Sequence, residues 1–115
     1  MPDYTLLDKH QLEQFVHTSE FEGQQLGAEV SFIAVDWPPG YRVPLHRHSY
    51  PEIFIIQEGQ ATYTVGSATL DVKAPQVIVA AANVPHAFAN SGDGPLKQID
   101  IHVNPTIVTE WLEAE

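Results

Sequence analysis

The sequence predicts an all-β sandwich or barrel. Short stretches rich in Val, Ile and aromatic residues recur along the chain, and turn signals built from Gly, Pro, Asn and Asp separate them. About eight such stretches can be counted, and helical spacing occurs only near the two ends. Short strands at regular spacing, with helices only at the ends, are typical of β-sandwiches and barrels.

Chain length and composition indicate one globular domain. The 115 residues are close to the commonest domain size and bury one ordinary core, so we predict a single domain over residues 1–115. Hydrophobic residues make up 43% of the chain, which is a globular and not a disordered composition. Cysteine is absent, which excludes disulfides, thiolate catalysis and sulfur-ligated metals.

The charge balance argues against several classes of partner. Fifteen acidic residues face five basic ones, and a net charge of −10 repels the phosphate backbone of a nucleic acid. No apolar run approaches the roughly 20 residues of a membrane helix. The N-terminus lacks a basic region followed by an apolar run, so no secretory signal is expected. Together with the absence of disulfides, this predicts a cytoplasmic protein without nucleic-acid or membrane partners.

The first part of the chain mixes a helical pattern with a strand pattern. Leu12, Phe15 and Val16 have helical spacing, which predicts a short amphipathic helix within residues 1 to 23. Residues 24–37 read as a strand, and the Pro38-Pro39-Gly40 sequence ends it because neither proline can donate a ladder hydrogen bond.

The middle of the chain reads as a succession of strands. Residues 52–57 contain the run IFII, whose continuous apolar character predicts burial on both faces. Residues 61–65 and 68–72 alternate apolar and polar side chains on either side of Gly66-Ser67, which predicts a hairpin with a type II′ turn. Further strands are predicted over residues 41–48, 76–80, 85–90 and 96–103.

The last residues predict a second short helix. Asn104 suits a helix N-cap and Pro105 the first helical position. The apolar side of this helix would consist of Ile107, Val108, Trp111 and Leu112.

The stretch from Gly40 to Gly59, GYRVPLHRHSYPEIFIIQEG, carries the main chemical signal. His46 and His48 are two residues apart, so on a strand both imidazoles point to the same face. Glu52 follows a predicted turn that can bring its carboxylate back beside them. Two imidazoles and a carboxylate at one point suit a divalent transition metal. The competing interpretation is a polar cluster without a metal.

This stretch resembles the first signature motif of the cupin superfamily: Gly40, five residues, His46-Arg47-His48, three residues, Glu52, six residues, Gly59. His86, followed four residues later by Asn90, is similar to the second motif. That motif usually has Pro and Gly before its histidine, at positions that hold Ala81 and Asn83 here. Asn substitutes well for a glycine with positive φ, whereas Ala replaces a rigid proline.

The resemblance implies a small single-domain cupin, whose fold is a double-stranded β-helix or jelly-roll barrel, over residues 24 to about 104. It implies that one divalent transition metal is held by His46, His48, Glu52 and His86. The candidate ions are Fe, Mn, Ni, Co, Cu and Zn, among which imidazole and carboxylate ligands do not choose sharply. It also implies a homodimer.

Two further residues are candidates for contact with a ligand. Arg42 has the parity of His46 and His48, so on a regular strand it would point inward and could pair with a substrate carboxylate. The alternative for Arg42 is a structural ion pair with a glutamate. His102 lies on a polar strand face with Asp100 and Asn104, where it either lines the cavity as a general base or faces solvent.

The sequence thus leads to two functional hypotheses. The first is a small-molecule enzyme of the dioxygenase, isomerase or decarboxylase type, acting on a ligand for which Arg42 suggests a carboxylate. The second is a non-catalytic, metal-dependent binding module or sensor. Fold alone does not choose between them.

Overall fold

Eleven strands in two antiparallel sheets make up the computed structural model, which describes residues 3–113. The six-stranded sheet has the order β1-β2-β3-β10-β5-β8 and the five-stranded sheet the order β11-β4-β9-β6-β7. The strands are β1 (Glu13–Phe15), β2 (Thr18–Glu22), β3 (Ser31–Trp37), β4 (Arg42–Arg47), β5 (Glu52–Glu58), β6 (Gln60–Val65), β7 (Ala68–Lys73), β8 (Val77–Ala80), β9 (His86–Asn90), β10 (Leu96–His102) and β11 (Glu110–Trp111). The predicted all-β class and the two-sheet architecture of a double-stranded β-helix are confirmed. The four terminal residues of the predicted 1–115 domain lie outside the described residues.

The predicted N-terminal helix is wrong. Its residues instead form a 3₁₀ turn (Lys9–Gln11) followed by the β1–β2 hairpin, in which His17 has a φ of +59°. Pairing with β3 decides the outcome, because β2 adds five ladder positions to that strand and stacks Phe21 on Phe32 at 5.1 Å between ring centroids. Tertiary pairing of this kind overrides a weak helical pattern.

The predicted C-terminal helix is also wrong. The Asn104 amide turns the chain by donating to the carbonyl of Thr106 at 2.8 Å instead of capping a helix. The backbone carbonyl and N–H of Val108 form hydrogen bonds with the side chains of His48 and Tyr50, respectively. Strand β11 then pairs with β4. Among the described residues only 3₁₀ turns of three residues occur as helices. None of them has the length or apolar character to cross a membrane.

The core lies between the two sheets. Alternate residues of β5 and β6 point inward, and Phe54, Ile56 and Tyr63 are each at most 1% exposed. The rings of Phe54 and Tyr63 meet edge to face at 5.1 Å between centroids. This core fills one part of the space between the sheets and leaves the other part to polar side chains from β4, β5, β9 and β10.

The IFII run is buried on one face and not on both. Phe54 and Ile56 point into the core, whereas Ile53 and Ile55 are half-buried on the outer face of the six-stranded sheet. There they pair with Val79 and Val77 of the edge strand β8. The doubly apolar character of this strand therefore reflects an apolar outer sheet surface.

Candidate metal centre

Three strands bring together four side chains that the sequence motifs single out. His46 lies on β4, His48 just beyond its end, Glu52 at the start of β5 and His86 at the start of β9. One donor atom from each lies within 4.8 Å of the others, and all four residues are buried. The predicted convergence of these side chains is therefore observed.

Local backbone features position the histidines. The register between β4 and β9 shifts between Val43 and His46, and His46 then pairs directly with His86. Asn83 adopts a φ of +67°, as expected of an asparagine in the place of a glycine. Its backbone N–H donates to the carbonyl of His48 at 2.7 Å. This loop thus keeps its turn geometry despite the departure from the usual second motif.

The three histidines present the same ring nitrogen to the centre. The Nδ1 atoms of His46, His48 and His86 lie 2.7, 2.8 and 3.1 Å from the backbone carbonyls of Pro44, Val108 and Val84. Because a carbonyl only accepts, each Nδ1 carries a proton and donates it. A neutral imidazole with this tautomer has its lone pair on Nε2, which is the state that a metal requires.

Glu52 is surrounded by imidazole nitrogens. Its Oε1 lies 3.0 Å from Nε2 of His48 and 3.1 Å from Nε2 of His86, and its Oε2 lies 3.1 Å from Nε2 of His102. Burial alone would raise the pKa of Glu52, but its close contacts with these three histidines hold that pKa well below its usual range. The carboxylate is therefore ionised at neutral pH.

Two of these contacts are electrostatic more than hydrogen-bonded. Nε2 of His48 and of His102 are buried, and in the described part of the chain neither has a partner in hydrogen-bonding direction, although both lie close to Glu52. A lone pair and a carboxylate at 3 Å attract only if a proton or a cation lies between them. The donor set therefore fits a divalent cation bound through Nε2 atoms and a carboxylate oxygen.

The pKa values of two of the histidines shift in opposite directions. Burial lowers the pKa of His46 to about 4, which keeps this imidazole neutral at physiological pH. Burial opposes protonation of His48 as well, but the interactions with Glu52 and with the Val108 carbonyl outweigh it and raise the pKa of His48. His48 is therefore the member of this pair that takes up a proton first on acidification.

His102 reaches the centre through Glu52. It is 1% exposed, and its Nδ1 lies 2.7 Å from the hydroxyl of Tyr50. Tyr50 in turn accepts a hydrogen bond from the backbone N–H of Val108 at 3.1 Å, and its O–H lies 3.3 Å from the Val108 carbonyl. Tyr50 and Glu52 thus contact opposite nitrogens of the His102 ring.

Arg42 lies on the surface, so the expectation that it points inward is wrong. Its side chain is 60% exposed, and its Nη1 is 3.9 Å from Glu113, which corresponds to the structural alternative weighed for it. The β4 irregularity between Val43 and His46 breaks the alternation on which the expectation depended. The sequence-based reason for expecting a carboxylate ligand is thereby lost.

A cavity of about 430 Å³ is lined by three of the four residues, His46, His48 and Glu52. Ligand sites of small molecules usually measure roughly 300–1,000 Å³, so this cavity is of a suitable size. Phe15 and Trp111, both about half exposed, lie at its open side. Its wall is mainly apolar and aromatic and consists of Phe15, Thr18, Glu20, Ile33, Val35, Trp37, Val43, His46, His48, Glu52, Phe88, Asp100, His102, Ile107, Thr109 and Trp111.

Sequence reasoning did not find several of these residues. Glu20 is missed because the sequence analysis predicts a helix in this region. The alternation in TSEFE is nevertheless a strand signal, and Glu20 lies on β2. Trp111 was placed on a helix but lies on β11, with its ring 5.0 Å from that of His46. Nothing in the local sequence fixed the direction of Tyr50, whose role depends on contacts with Val108 and His102.

Two facing antiparallel sheets that enclose three histidines and a glutamate define a double-stranded β-helix protein with a candidate metal centre. The chain belongs to the cupin domain family, whose model matches residues 34–102. This match includes all four candidate ligands and His102.

Known proteins share the fold over most of the chain. An oxalate decarboxylase–formate complex from Lactobacillus farciminis superposes with a TM-score of 0.79 at 24% identity, covering 90% of this chain and 34% of that one. An uncharacterised protein with a double-stranded β-helix domain from Klebsiella pneumoniae has a TM-score of 0.76 at 16% identity, covering 97% and 100%. At these identities the likeness concerns the fold alone.

A curated relative matches a short segment. Auxin-binding protein 5 from Zea mays is 50% identical over 32 residues, which is 28% of this chain. The match spans 21% of the length of that protein.

Proposed function

We propose that this cupin binds one divalent transition metal through His46, His48, Glu52 and His86 and acts as an enzyme on a small molecule held in the adjoining cavity. The observation that carries the proposal is the common orientation of the three histidines. Each donates Nδ1–H to a backbone carbonyl and presents Nε2 to the same point as Glu52 Oε1. A polar cluster without a metal would have no need for this shared tautomer.

The surrounding chain prepares the centre before any ion arrives. Burial keeps His46 neutral, and contacts with three histidines keep Glu52 ionised. Because the carbonyls that accept from Nδ1 belong to the barrel backbone, the imidazole planes are fixed by the fold. A bound metal would supply Lewis acidity, which polarises an oxygen of the ligand. The predicted candidates are Fe, Mn, Ni, Co, Cu and Zn.

His102 and Tyr50 have a supporting role in this proposal. His102 contacts the oxygen of Glu52 that faces away from His48 and His86, and Tyr50 fixes the other side of its ring. We therefore propose His102 as a positioning residue for Glu52, in preference to the general-base role considered from the sequence.

The reaction type, that of a dioxygenase, an isomerase or a decarboxylase, stays a prediction. Decarboxylation is favoured by the fold likeness to an oxalate decarboxylase, while the other two follow from the family resemblance. The second candidate, a non-catalytic binding module, is favoured by the name of the auxin-binding relative, which describes binding and no reaction. Cytoplasmic location and the absence of nucleic-acid partners remain predictions from composition.

Turnover separates the two candidates. Protein loaded in turn with Mn²⁺, Fe²⁺, Ni²⁺ and Zn²⁺ is incubated with catechols, β-diketones, keto acids and sugars, while oxygen uptake and product formation are followed. If the protein is an enzyme, we expect product formation that is lost in the His86→Ala variant. The control variant His10→Gln, at an exposed position, should retain it. Metal-dependent ligand binding without product formation would contradict the enzyme hypothesis and support the binding module.

A further inference from the structure

The residues that follow β10 cross from one sheet to the other and form one wall of the cavity. Within this 105–113 segment, alternate side chains line the cavity, namely Ile107, Thr109 and Trp111. The centroid of the Trp111 ring lies 5.0 Å from that of His46. The segment is therefore a cavity wall that also contacts the candidate metal centre.

The backbone of Val108 connects this wall to a candidate ligand. Its carbonyl accepts a hydrogen bond from Nδ1 of His48 at 2.8 Å, and its N–H donates to the hydroxyl of Tyr50 at 3.1 Å. The side chain of Val108 is 56% exposed, so the backbone and not the side chain reaches into the site. A metal ion at Nε2 of His48 would polarise the imidazole and strengthen the hydrogen bond from Nδ1 to Val108. The position of Val108 therefore bears on the orientation of this ligand.

Glu22 on β2 holds the residue that precedes Val108. Its Oε2 accepts a hydrogen bond from the backbone N–H of Ile107 at 2.7 Å. An ionised acceptor makes this a charge-assisted hydrogen bond, which is stronger than one to a neutral group. The N–H of Gln24 also donates to the carbonyl of Pro105 at 3.0 Å. Glu22 is exposed and belongs neither to the candidate ligands nor to the cavity lining found within 3–113, so it can be changed without altering either.

The other end of the segment is attached to β4. The N–H of Leu112 donates to the carbonyl of Leu45 at 2.9 Å, and Glu110 pairs with Arg47 at 2.8 Å. The side chains of this ion pair are 41% and 56% exposed, so water screens it and it holds the segment only weakly. Val108 thus lies between an attachment to the six-stranded sheet and an attachment to the five-stranded sheet.

We propose that Glu22 is a positioning residue for the metal centre, which acts through the 105–113 segment by holding Val108 against His48. When the segment opens, His48 loses the carbonyl that orients its ring, and the cavity loses a wall at the same time. Because such coupling is reciprocal, a bound metal favours the closed segment by the same factor by which closure raises metal affinity. The inference rests on the proposed function, because it concerns the metal ion of that site.

Zn²⁺ affinity tests the role of Glu22. Competition with a chromophoric chelator gives the dissociation constants of the wild type, Glu22→Ala, Glu22→Gln and Glu13→Ala. We expect Glu22→Ala to weaken affinity about three- to tenfold, because the metal-free protein then spends more time with the segment open. Glu22→Gln keeps an oxygen that can accept from Ile107 and should lie closer to the wild type. Glu13→Ala removes the same side chain at an exposed position of β1 and should match the wild type.

Amide hydrogen exchange followed by NMR tests the reciprocal effect. The N–H groups of Val108 and Leu112 report on the segment, and Glu22 contacts neither of them directly. We expect saturating Zn²⁺ to slow their exchange at least about fivefold in the wild type. In metal-free Glu22→Ala both groups should exchange faster than in the metal-free wild type, and Zn²⁺ should slow them again.

Unchanged Zn²⁺ affinity in Glu22→Ala, an equal loss in Glu22→Gln, or exchange at Val108 and Leu112 that Zn²⁺ leaves unchanged would overturn the inference. The proposed function would stand in these cases, since the wild type would still bind Zn²⁺. A wild type that binds no Zn²⁺ would overturn both. Exchange in β5 and β6 is the control for a merely structural role, because a general loss of stability would speed it up as well. If thermal melting shows that Glu22→Ala does not fold, Glu22→Asp replaces it.

Discussion

Tyr50 and His102 form a chain of contacts that ends on Glu52 Oε2, and this chain can be broken without removing a candidate ligand. His102→Ala and Tyr50→Phe should each weaken metal affinity about 10- to 100-fold, because the partners that orient a ligating carboxylate contribute that much. Metal competition with a chromophoric chelator measures the effect. His10→Gln serves as the control. Unchanged affinity in both variants would show that Glu52 needs no support from this side.

Acidification should release the metal in a way that His48 controls. The raised pKa of His48 means that the metal-free folded protein takes up a proton there as pH falls through a value above the ordinary 6.5. Proton and metal compete for the same Nε2, so apparent affinity should begin to fall in that region. His46, with a pKa of about 4, should add to the loss only at lower pH. An affinity that stays constant from pH 8 to about pH 5 would contradict the assignment of His48 as a ligand.

Asp100 should reduce stability at neutral pH. Burial and the nearby charge of Glu52 raise its pKa in the folded protein well above the unfolded value near 3.8, so the folded state binds the proton more tightly. Stability is then fully present below the unfolded value and decreases as pH rises toward the folded pKa. Asp100→Asn keeps an oxygen for the hydrogen bond from Nε2 of Gln98 and should stabilise the protein at pH 7 by about 1–3 kcal/mol. Denaturant unfolding of metal-free protein at pH 7 measures this, and a loss of stability in Asp100→Asn would contradict a raised pKa of Asp100.

At the residue scale the sequence identifies the candidate ligands but not the residues that contact and orient them. Strand alternation points to His46 and His48 and a predicted turn to Glu52, whereas His86 is identified only through the resemblance to the second cupin motif. Arg42 illustrates the limit, since its predicted direction assumed a regular β4. Contacts such as that of Tyr50 with Val108, 58 residues apart, depend on how distant segments pack and have no local signal.

Gly59 joins β5 to β6 at a point where the backbone passes close to another strand. It has a φ of +85°, and a Cβ there would lie 2.3 Å from the carbonyl oxygen of Pro95. Gly59→Ala should lower the free energy of unfolding by about 2–4 kcal/mol, because of the strained φ and the overlap with the Pro95 backbone. Gly40 has a φ of +89° but open space around it, so Gly40→Ala should lower the free energy of unfolding by about 1–2 kcal/mol. Chemical denaturation of both variants measures the difference, and equal costs would indicate that the overlap is relieved freely.

Elements defined by strong alternation and turn residues could be predicted, whereas those defined by pairing could not. The hairpin of β6 and β7 around Gly66 follows directly from its pattern. The segments 12–16 and 107–112 have helical spacing but form β1 and β11, because hydrogen bonds to β2 and β4 stabilise them more than a short isolated helix could be stabilised.

The outer face of the six-stranded sheet carries two apolar cross-strand rows, and we propose that it forms the predicted homodimer interface. One row is Val79, Ile53, Ile101 and Phe32, and the other is Val77, Ile55, Ile99 and Ala34. Val77 and Val79 are each 56% exposed. An exposed contiguous apolar surface of this kind is typical of interfaces.

Charges placed on this face should prevent association. The Val77→Asp, Val79→Asp variant is expected to run as a monomer in size-exclusion chromatography with light scattering, while the wild type runs as a dimer at micromolar concentration. Val16→Asp introduces the same charge at a position 72% exposed and should leave the dimer intact. A monomeric wild type would refute the interface.

The proposed function of the molecule depends on a cation held between β4, β5 and β9, so metal content is its most direct test. Protein purified without added metal or chelator is analysed by elemental mass spectrometry, together with His48→Ala, His86→Ala and the control His10→Gln. We expect about one divalent transition metal ion per chain in the wild type and in His10→Gln, and less than about a tenth of that in the two ligand variants. A wild type without bound metal even after loading, or ligand variants that retain as much metal as the wild type, would contradict the proposed metal centre.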